Sequence, residues 1–242
     1  MLASTRVCPA SWLKSHSWVP ALVSCAIAST VQAQPIAFDP RVDLTVGNNP
    51  EAVAVGLLNN DPFLDIVVAN GGSNSVSVLL GNGDGTFADP VNYDVGTYPW
   101  FVALADLNVD GILDLVVSNH DSADLTVLLG VGDGTFQLAG TVPLSNMPFA
   151  VAIADFNADG LPDLVVTNLT TTFLLIGNGD GSFLAPVELD GGANAQFVAT
   201  GDFNGDTIPD LAVTNSRGTD TVTILLGRGD GTFQRVNSFP IG

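Results

Sequence analysis

Short apolar runs separated by turn-forming residues recur along most of the chain. In one unit the runs are Phe101 to Ala105, Leu115 to Ser118 and Leu125 to Leu129, and a weaker one follows near Thr141 to Leu144. Runs of this length, rich in β-branched side chains, favour strands, and their lack of strict alternation favours sheets that are buried on both faces. The pattern therefore predicts four strands per unit, with no helical periodicity after residue 33.

This unit occurs four times. Residues 105–119 recur at 154–168 and 201–215, with a weaker copy at 56–70, and successive copies are 47 to 49 residues apart. A second motif, Gly-x-Gly-Asp-Gly-Thr/Ser-Phe, follows each copy, and its Asp-Gly step predicts a tight turn because such turns need positive φ. Four antiparallel strands repeated at this period predict the blades of a β-propeller.

The two motifs, present four times in register, resemble those of FG-GAP (VCBS-type) repeat proteins of the secreted bacterial type, whose repeats are integrin-α-like propeller blades. The resemblance implies an all-β propeller domain over residues 34–242. Its four-stranded antiparallel repeats are expected at about 48–96, 97–145, 146–192 and 193–242.

The two ends of this domain carry the same segment. Residues 38–47 and 233–242 both match residues 87–96, which correspond to an outer strand. The chain thus has one surplus outer strand in addition to four complete units. We expect a partial ring, either closed by a second copy or belonging to a larger propeller or a truncated gene product, rather than a closed ring of four blades.

The loop between the first two strands of each unit concentrates oxygen ligands at alternate positions, 1, 3, 5, 7 and 9, with a backbone carbonyl at position 7. Ca²⁺ takes about six to eight oxygen ligands in proteins, several of them carboxylates. The sequence therefore predicts about three structural Ca²⁺ sites. The predicted ligands are Asp106, Asn108, Asp110, Ile112 and Asp114; Asp155, Asn157, Asp159, Leu161 and Asp163; and Asp202, Asn204, Asp206, Ile208 and Asp210.

The first copy of the loop is degraded. Leu57 and Pro62 replace the opening aspartate and the glycine, which leaves Asn59, Asp61 and Asp65 for weak metal binding or none. An EF-hand is excluded because position 12 is a valine inside an apolar strand. Plain Asp/Asn-rich turns, whose side chains cap their own backbone, remain an alternative. Against that alternative, three carboxylates in one loop repel each other unless a cation is near.

The first 33 residues have the features of an export signal. Arg6 and Lys14 precede a short apolar stretch, and cleavage is expected after Ala33, which predicts a secreted, extracellular or periplasmic protein. A lipobox-like sequence that ends at Cys25 leaves lipidation as a minor alternative. No later segment approaches the ~20 apolar residues that a membrane helix needs.

Cleavage would remove both cysteines and leave all 25 acidic side chains. The basic residues that remain are Arg41, Arg217, Arg228 and Arg235. So acidic a surface disfavours nucleic acid and anionic membranes, which are bound through Lys and Arg contacts to phosphate. It favours cations. A chain without disulfides must also depend on its apolar core, on metal, or on both.

A ligand surface is predicted where the inner strands begin. The position six residues before each loop varies between otherwise similar units, and aromatic residues in exposed loops are typical of carbohydrate or protein recognition. The candidate residues are Tyr98, Trp100, Phe149 and Gln196, with Glu51 at the same position of the first unit. The alternative is that Trp100 and Phe149 only fill the centre of the propeller.

No catalytic constellation is evident, so we expect a protein that is not an enzyme. His120 beside Asp121 is the one candidate base after residue 33, and a lone histidine in a turn is usually solvated. We expect a calcium-stabilised binding, adhesion or scaffolding module, with a glycan or a cell-surface or extracellular protein as partner. The alternatives are a self-assembling structural module and a polysaccharide-degrading enzyme.

Overall fold

The computed structural model describes residues 41–216 and 220–240. Contacts between residues divide the chain into two units, and the second unit, which begins at Asp43, contains all the strands given below. The predicted signal peptide, its cleavage site and Cys25 lie outside the described residues. No described segment forms a helix that is long and apolar enough to cross a membrane.

The described residues form sixteen β-strands and one 3₁₀ turn, Gly71–Ser73. The strands are β1 Pro50–Gly56, β2 Asp65–Asn70, β3 Ser75–Leu79, β4 Val91–Asp94, β5 Pro99–Ala105, β6 Asp114–Asn119, β7 Asp124–Gly130, β8 Phe136–Pro143, β9 Pro148–Ala154, β10 Asp163–Asn168, β11 Thr172–Leu175, β12 Val187–Leu189, β13 Ala195–Gly201, β14 Asp210–Asn215, β15 Thr221–Gly227 and β16 Phe233–Pro240.

These strands form four antiparallel sheets of four strands, each made from consecutive strands in chain order. We call the sheets blades 1 to 4. The all-β prediction of four-stranded antiparallel blades is confirmed. In blade 2 the fourth strand begins at Phe136, earlier than the predicted run near Thr141, because the turn is complete by then and Phe136 pairs with Gly130.

The turns before the fourth strands follow the expected chemistry. Gly85 and Gly134 both have a φ of 86°, a conformation that glycine adopts without steric cost. The preceding aspartate caps the turn, since Asp133 Oδ1 accepts hydrogen bonds from both the N–H and the hydroxyl of Thr135. In blades 2 and 4 the fourth strand begins directly after this turn. In blades 1 and 3 the turn closes only an isolated bridge, Gly81 with Phe87 and Gly177 with Phe183, and the fourth strand begins later, at Val91 and Val187.

The blades pack in chain order through their first strands. β1 contacts β5, β5 contacts β9, and β9 contacts β13. The three apolar clusters of the core each join two consecutive blades. Val67 and Val78 of blade 1, for example, pack with Leu115 and Val117 of blade 2, and all four are nearly inaccessible to solvent. Burial on both faces explains why the central strands lack alternation.

The surplus outer strand predicted over residues 38–47 is not seen in its described part. Residues 38–40 lie outside the described residues, and residues 41–46 belong to no strand. The reason is that a fourth strand is ordered by pairing with a third strand. All four third strands of the described structure, β3, β7, β11 and β15, already pair with the fourth strand of their own blade.

Candidate calcium loops and an aromatic cluster

The predicted calcium loops each connect the first two strands of a blade. In blade 2, Asp106 Oδ1 accepts a hydrogen bond from the Asp110 N–H at 3.0 Å, and its Oδ2 accepts one from the Gly111 N–H at 2.8 Å. Asp110 Oδ1 in turn accepts from the Ile112 N–H at 2.8 Å. The loop of blade 3 repeats these bonds with Asp155, Asp159 and Leu161 in the same roles.

The third intact loop, in blade 4, keeps this geometry although it lacks the usual glycine. Asp202 accepts hydrogen bonds from the N–H groups of Gly205, Asp206 and Thr207, and Asp206 accepts one from Ile208. Thr207 adopts a φ of 71° where the loops of blades 2 and 3 have glycine. The backbone N–H groups, that of Thr207 foremost, lower the pKa of Asp202.

The asparagine at the third position of each loop orients the aspartate at the fifth position. Asn108 Oδ1 accepts from the Asp110 N–H, and its Nδ2 donates to Asp110 Oδ2 at 2.8 Å. Asn157 and Asn204 make the same pair of bonds in blades 3 and 4. In the degraded first loop, Asn59 and Asp61 still do so. These are the local bonds of capped turns.

The ninth-position aspartate has a structural role that its place in the motif does not reveal. Asp114 is fully buried. Its Oδ2 accepts from the Leu107 N–H and its Oδ1 from the Gly130 N–H, both at 2.8 Å. The carboxylate thereby ties the start of the loop to the end of the third strand. The same two bonds are made by the buried aspartates Asp65, Asp163 and Asp210.

The residue types of the intact loops fit Ca²⁺, because each loop offers hard oxygen donors that carry three negative charges. Burial, with smaller contributions from the carboxylates of Asp110 and Asp106, raises the pKa of Asp114, while its N–H partners act in the opposite direction. Among the described residues, no three His, Cys, Asp or Glu side chains converge as they would around a metal ion. The carboxylates instead point to their own backbone.

Three of the four residues predicted as a ligand surface come together with a histidine. We call Tyr98, Trp100, His120 and Phe149 the aromatic cluster. Trp100 stacks on Tyr98 with ring centroids 6.2 Å apart, and it meets His120 at 5.6 Å and Phe149 at 5.9 Å. Gln196 makes no side-chain hydrogen bond to the cluster in the described structure; its carbonyl accepts from the Thr167 hydroxyl in blade 3.

Two carboxylates border the aromatic cluster. The Tyr98 hydroxyl donates to Glu51 Oε1 at 2.8 Å, and this bond raises the pKa of Tyr98. His120 Nδ1 lies 2.6 Å from Asp121 Oδ1. Trp100 is 37 % exposed whereas Phe149 is only 6 % exposed. Phe149 therefore forms a buried floor, and Trp100 presents a surface.

The sequence led us to expect a solvated His120, but the tertiary structure places its ring against Trp100 and Phe149. Only one part of this arrangement could have been predicted from the sequence. The turn that follows the second strand lies beside the start of the first strand, because the two strands are antiparallel neighbours. The His120 N–H accordingly donates to the Tyr98 carbonyl at 2.9 Å.

The fold and its repeated loops define a β-propeller-type repeat protein. The model of the FG-GAP-like repeat matches residues 58–117, 106–166 and 155–213, which together span more than half of the chain. The chain therefore belongs to the FG-GAP-like repeat family, as its motifs predicted. No curated protein matches it.

Solved structures with a similar fold include three of different kinds. One is an Agrocybe aegerita lectin that recognises non-reducing terminal N-acetylglucosamine, at 22% identity and a TM-score of 0.56, covering 76% of this chain and 50% of the lectin chain. Another is a protein from Lactobacillus plantarum, at 13% identity and a TM-score of 0.62, covering 81% of this chain and 57% of that protein's chain. A third is BBS1N in complex with ARL6DN, at 12% identity and a TM-score of 0.57, covering 84% of this chain and 60% of that chain. At these identities the likeness concerns the fold, and this chain spans about half the length of the lectin.

Proposed function

We propose that this protein is an exported, non-catalytic binding module that recognises a glycan through the aromatic cluster. The observation that carries the proposal is the exposed Trp100 ring, held in place by Tyr98, His120 and the buried Phe149. Sugar rings pack their C–H faces on such aromatic surfaces, while their hydroxyls need hydrogen-bonding groups at the edge. Glu51 and Asp121 supply acceptors there.

The propeller-type relatives support a binding role, since one of them is a lectin and another is seen in complex with a partner protein. Terminal N-acetylglucosamine, which the Agrocybe aegerita lectin recognises, is therefore the first probe to use. A protein partner is the second candidate, and the same exposed ring would serve as its anchor because tryptophan is enriched at binding hot spots.

The binding test can use the tryptophan itself. If the chain is cleaved after Ala33, Trp100 is its only tryptophan, so its fluorescence reports directly on the aromatic cluster. We expect a glycan panel that includes terminal N-acetylglucosamine to contain a sugar that shifts the emission, and Trp100→Phe to weaken that sugar's binding. Phe239→Leu, at an exposed aromatic residue of β16 outside the cluster, is the matched control. A panel without any binder would contradict glycan recognition.

We further propose that Ca²⁺ binds the loops of blades 2, 3 and 4 and stabilises them. Asp106, Asn108, Asp110 and Asp114 would hold the ion in blade 2, together with the Ile112 carbonyl, and the equivalent residues in the other two blades. The support is the donor chemistry of the loops and the concentration of three carboxylates in each. Binding would require the carboxylates of the first and fifth positions to turn away from their own N–H groups.

Thermal unfolding tests this metal role. A ligand that binds only the folded state raises the unfolding midpoint. We expect millimolar Ca²⁺ to raise it relative to chelator, and Asp110→Ala and Asp159→Ala each to reduce the rise. Asp61→Ala, in the degraded loop, should leave the rise intact. Equal midpoints with Ca²⁺ and with chelator would refute the metal role and leave the loops as capped turns.

Two further experiments address export and catalysis. N-terminal sequencing of protein recovered outside the producing cells should begin at Gln34, whereas a lipidated Cys25 would contradict cleavage after Ala33. The non-catalytic role predicts no turnover of acidic polysaccharides. Turnover that is lost in His120→Ala would instead establish an enzyme.

A further inference from the structure

The solvent exposure of four equivalent valines in the first strands shows which faces of the blades are covered. They are Val53, Val102, Val151 and Val198. The last three are buried, at 3 %, 5 % and 3 % exposure, because each packs on the preceding blade. Val53 of blade 1 is 64 % exposed. The face that every later blade buries against its predecessor is therefore open in blade 1.

The apolar residue at the second position of each loop lies on the opposite face of its blade, and its exposed fraction shows whether that face is covered. In blades 1, 2 and 3 these residues are Leu58, Leu107 and Phe156, and all are at most 2 % exposed. Phe203 of blade 4 is 52 % exposed. The face that each earlier blade offers to its successor is therefore open in blade 4.

We call the packing of two consecutive blades an internal junction. At each internal junction the loop residue of one blade and the valine of the next blade belong to one apolar cluster. Leu58 lies with Val102, Leu107 with Val151, and Phe156 with Val198. Val53 and Phe203 are the residues of the two open faces that correspond to these pairs. Within the chain they are not brought together, since β13 and β1 make no contact comparable to those between the other first strands of the described structure.

Backbone hydrogen bonds join the blades at two of the three internal junctions. The Gly134 N–H donates across the first junction to the Leu58 carbonyl at 2.9 Å, and the Gly231 N–H donates across the third to the Phe156 carbonyl at 3.0 Å. The corresponding groups of the open faces are the Gly85 N–H of blade 1 and the Phe203 carbonyl of blade 4. In the described part of the chain these two groups make no bond across a junction.

We propose that the two open faces bind each other between two copies of this chain, head to tail. Val53 of each copy packs against Phe203 of the other, and the Gly85 N–H of each donates to the other's Phe203 carbonyl. The partner is a second copy because the chain itself supplies the face that each open face fits, as its three internal junctions demonstrate. Two such contacts close a ring of two chains, since a heterologous interface forms a ring when its rotation closes.

Light scattering tests the pairing in the full chain and in single variants. We expect the unaltered protein to have twice the chain mass. Val53→Asp and Phe203→Asp should each weaken association by at least about tenfold, because a charge would be buried without a partner. Leu138→Asp, at a side chain of the outer strand β8 that is 63 % exposed, is the control and should remain paired. Circular dichroism verifies that all variants keep the strand content.

Mixing the two variants distinguishes the head-to-tail arrangement from others. Val53→Asp keeps an intact blade 4 face and Phe203→Asp keeps an intact blade 1 face, so an equimolar mixture retains one native junction and should recover pairs. Failure of the mixture to pair would overturn the proposal. So would a Phe203→Asp protein that pairs as tightly as the unaltered protein, which would indicate a symmetric contact through blade 1. A monomeric unaltered protein, or a mass that keeps growing with concentration, would also overturn closure by two copies.

Discussion

The buried carboxylate of Asp65 accepts a hydrogen bond from the Gly81 N–H at 2.8 Å, which joins the start of the second strand of blade 1 to the turn that follows its third strand. Its other oxygen accepts from the Leu58 N–H at 2.8 Å. This blade has lost the first ligand position of its loop, yet it keeps the same clamp as the other three. The ninth-position aspartate therefore has a role that is independent of metal.

We predict that Asp65→Ala lowers the free energy of unfolding by about 2–4 kcal/mol, because two buried N–H donors lose their acceptor. Asp61→Ala, in the same loop but exposed to solvent in part, should cost less than about 1 kcal/mol. Urea unfolding measures both. The loss in Asp65→Ala should be the same in Ca²⁺ and in chelator, and a loss that appears only in Ca²⁺ would mean that Asp65 acts through metal.

Equivalent positions in the repeat should differ greatly in their contribution to stability. Phe156→Ala removes a core side chain and should cost about 3–5 kcal/mol. Phe203→Ala, at the same motif position in blade 4, should cost less than about 1 kcal/mol, because half of its surface is exposed. Urea unfolding at low protein concentration, where chains unfold singly, compares the two. Similar losses would show that blade 4 is covered.

The Asp-Gly turns should make stability depend on pH. The Thr135 hydroxyl, and then its N–H, lower the pKa of Asp133. A lowered pKa in the folded state means that the ionised carboxylate stabilises the fold above its unfolded pKa, and that this contribution disappears as the pH falls through the folded pKa.

Thr135→Val should therefore lower the unfolding midpoint near neutral pH and match the unaltered protein at strongly acidic pH. Thr135→Ser should behave as the unaltered protein, because Ser182 makes the same bond to Asp180 in blade 3. Thermal unfolding from about pH 6 down to pH 2 measures this difference. A difference between Thr135→Val and the unaltered protein that stays constant over this range would rule out the linkage.

The backbone of the second loop holds strain that substitution can relieve. Val109 has a φ of 59°, which costs a β-branched residue about 1–2 kcal/mol. Its side chain is exposed and is not among the predicted ligands. We expect Val109→Asn to raise the free energy of unfolding by about 1 kcal/mol, since asparagine tolerates this conformation. Val131→Asn, at an exposed valine without positive φ, should give no gain by urea unfolding.

Local chemistry determined much of this protein from the sequence alone. The Asp-Gly steps fix the hairpin turns because only glycine adopts their φ without cost. The apolar runs fix the strands, and the repetition of both fixes four blades of one family. The oxygen-rich loops were also placed correctly between the first two strands, although their predicted Ca²⁺ remains a proposal.

Only the tertiary structure decided what surrounds each repeated position. Phe156 and Phe203 occupy the same place in the motif, yet one is in the core and the other is half exposed. His120 joins the aromatic cluster because a turn and a neighbouring strand meet there. Burial depends on the blade that comes next in space, and a repeated sequence carries the same local signal whether or not that blade is present.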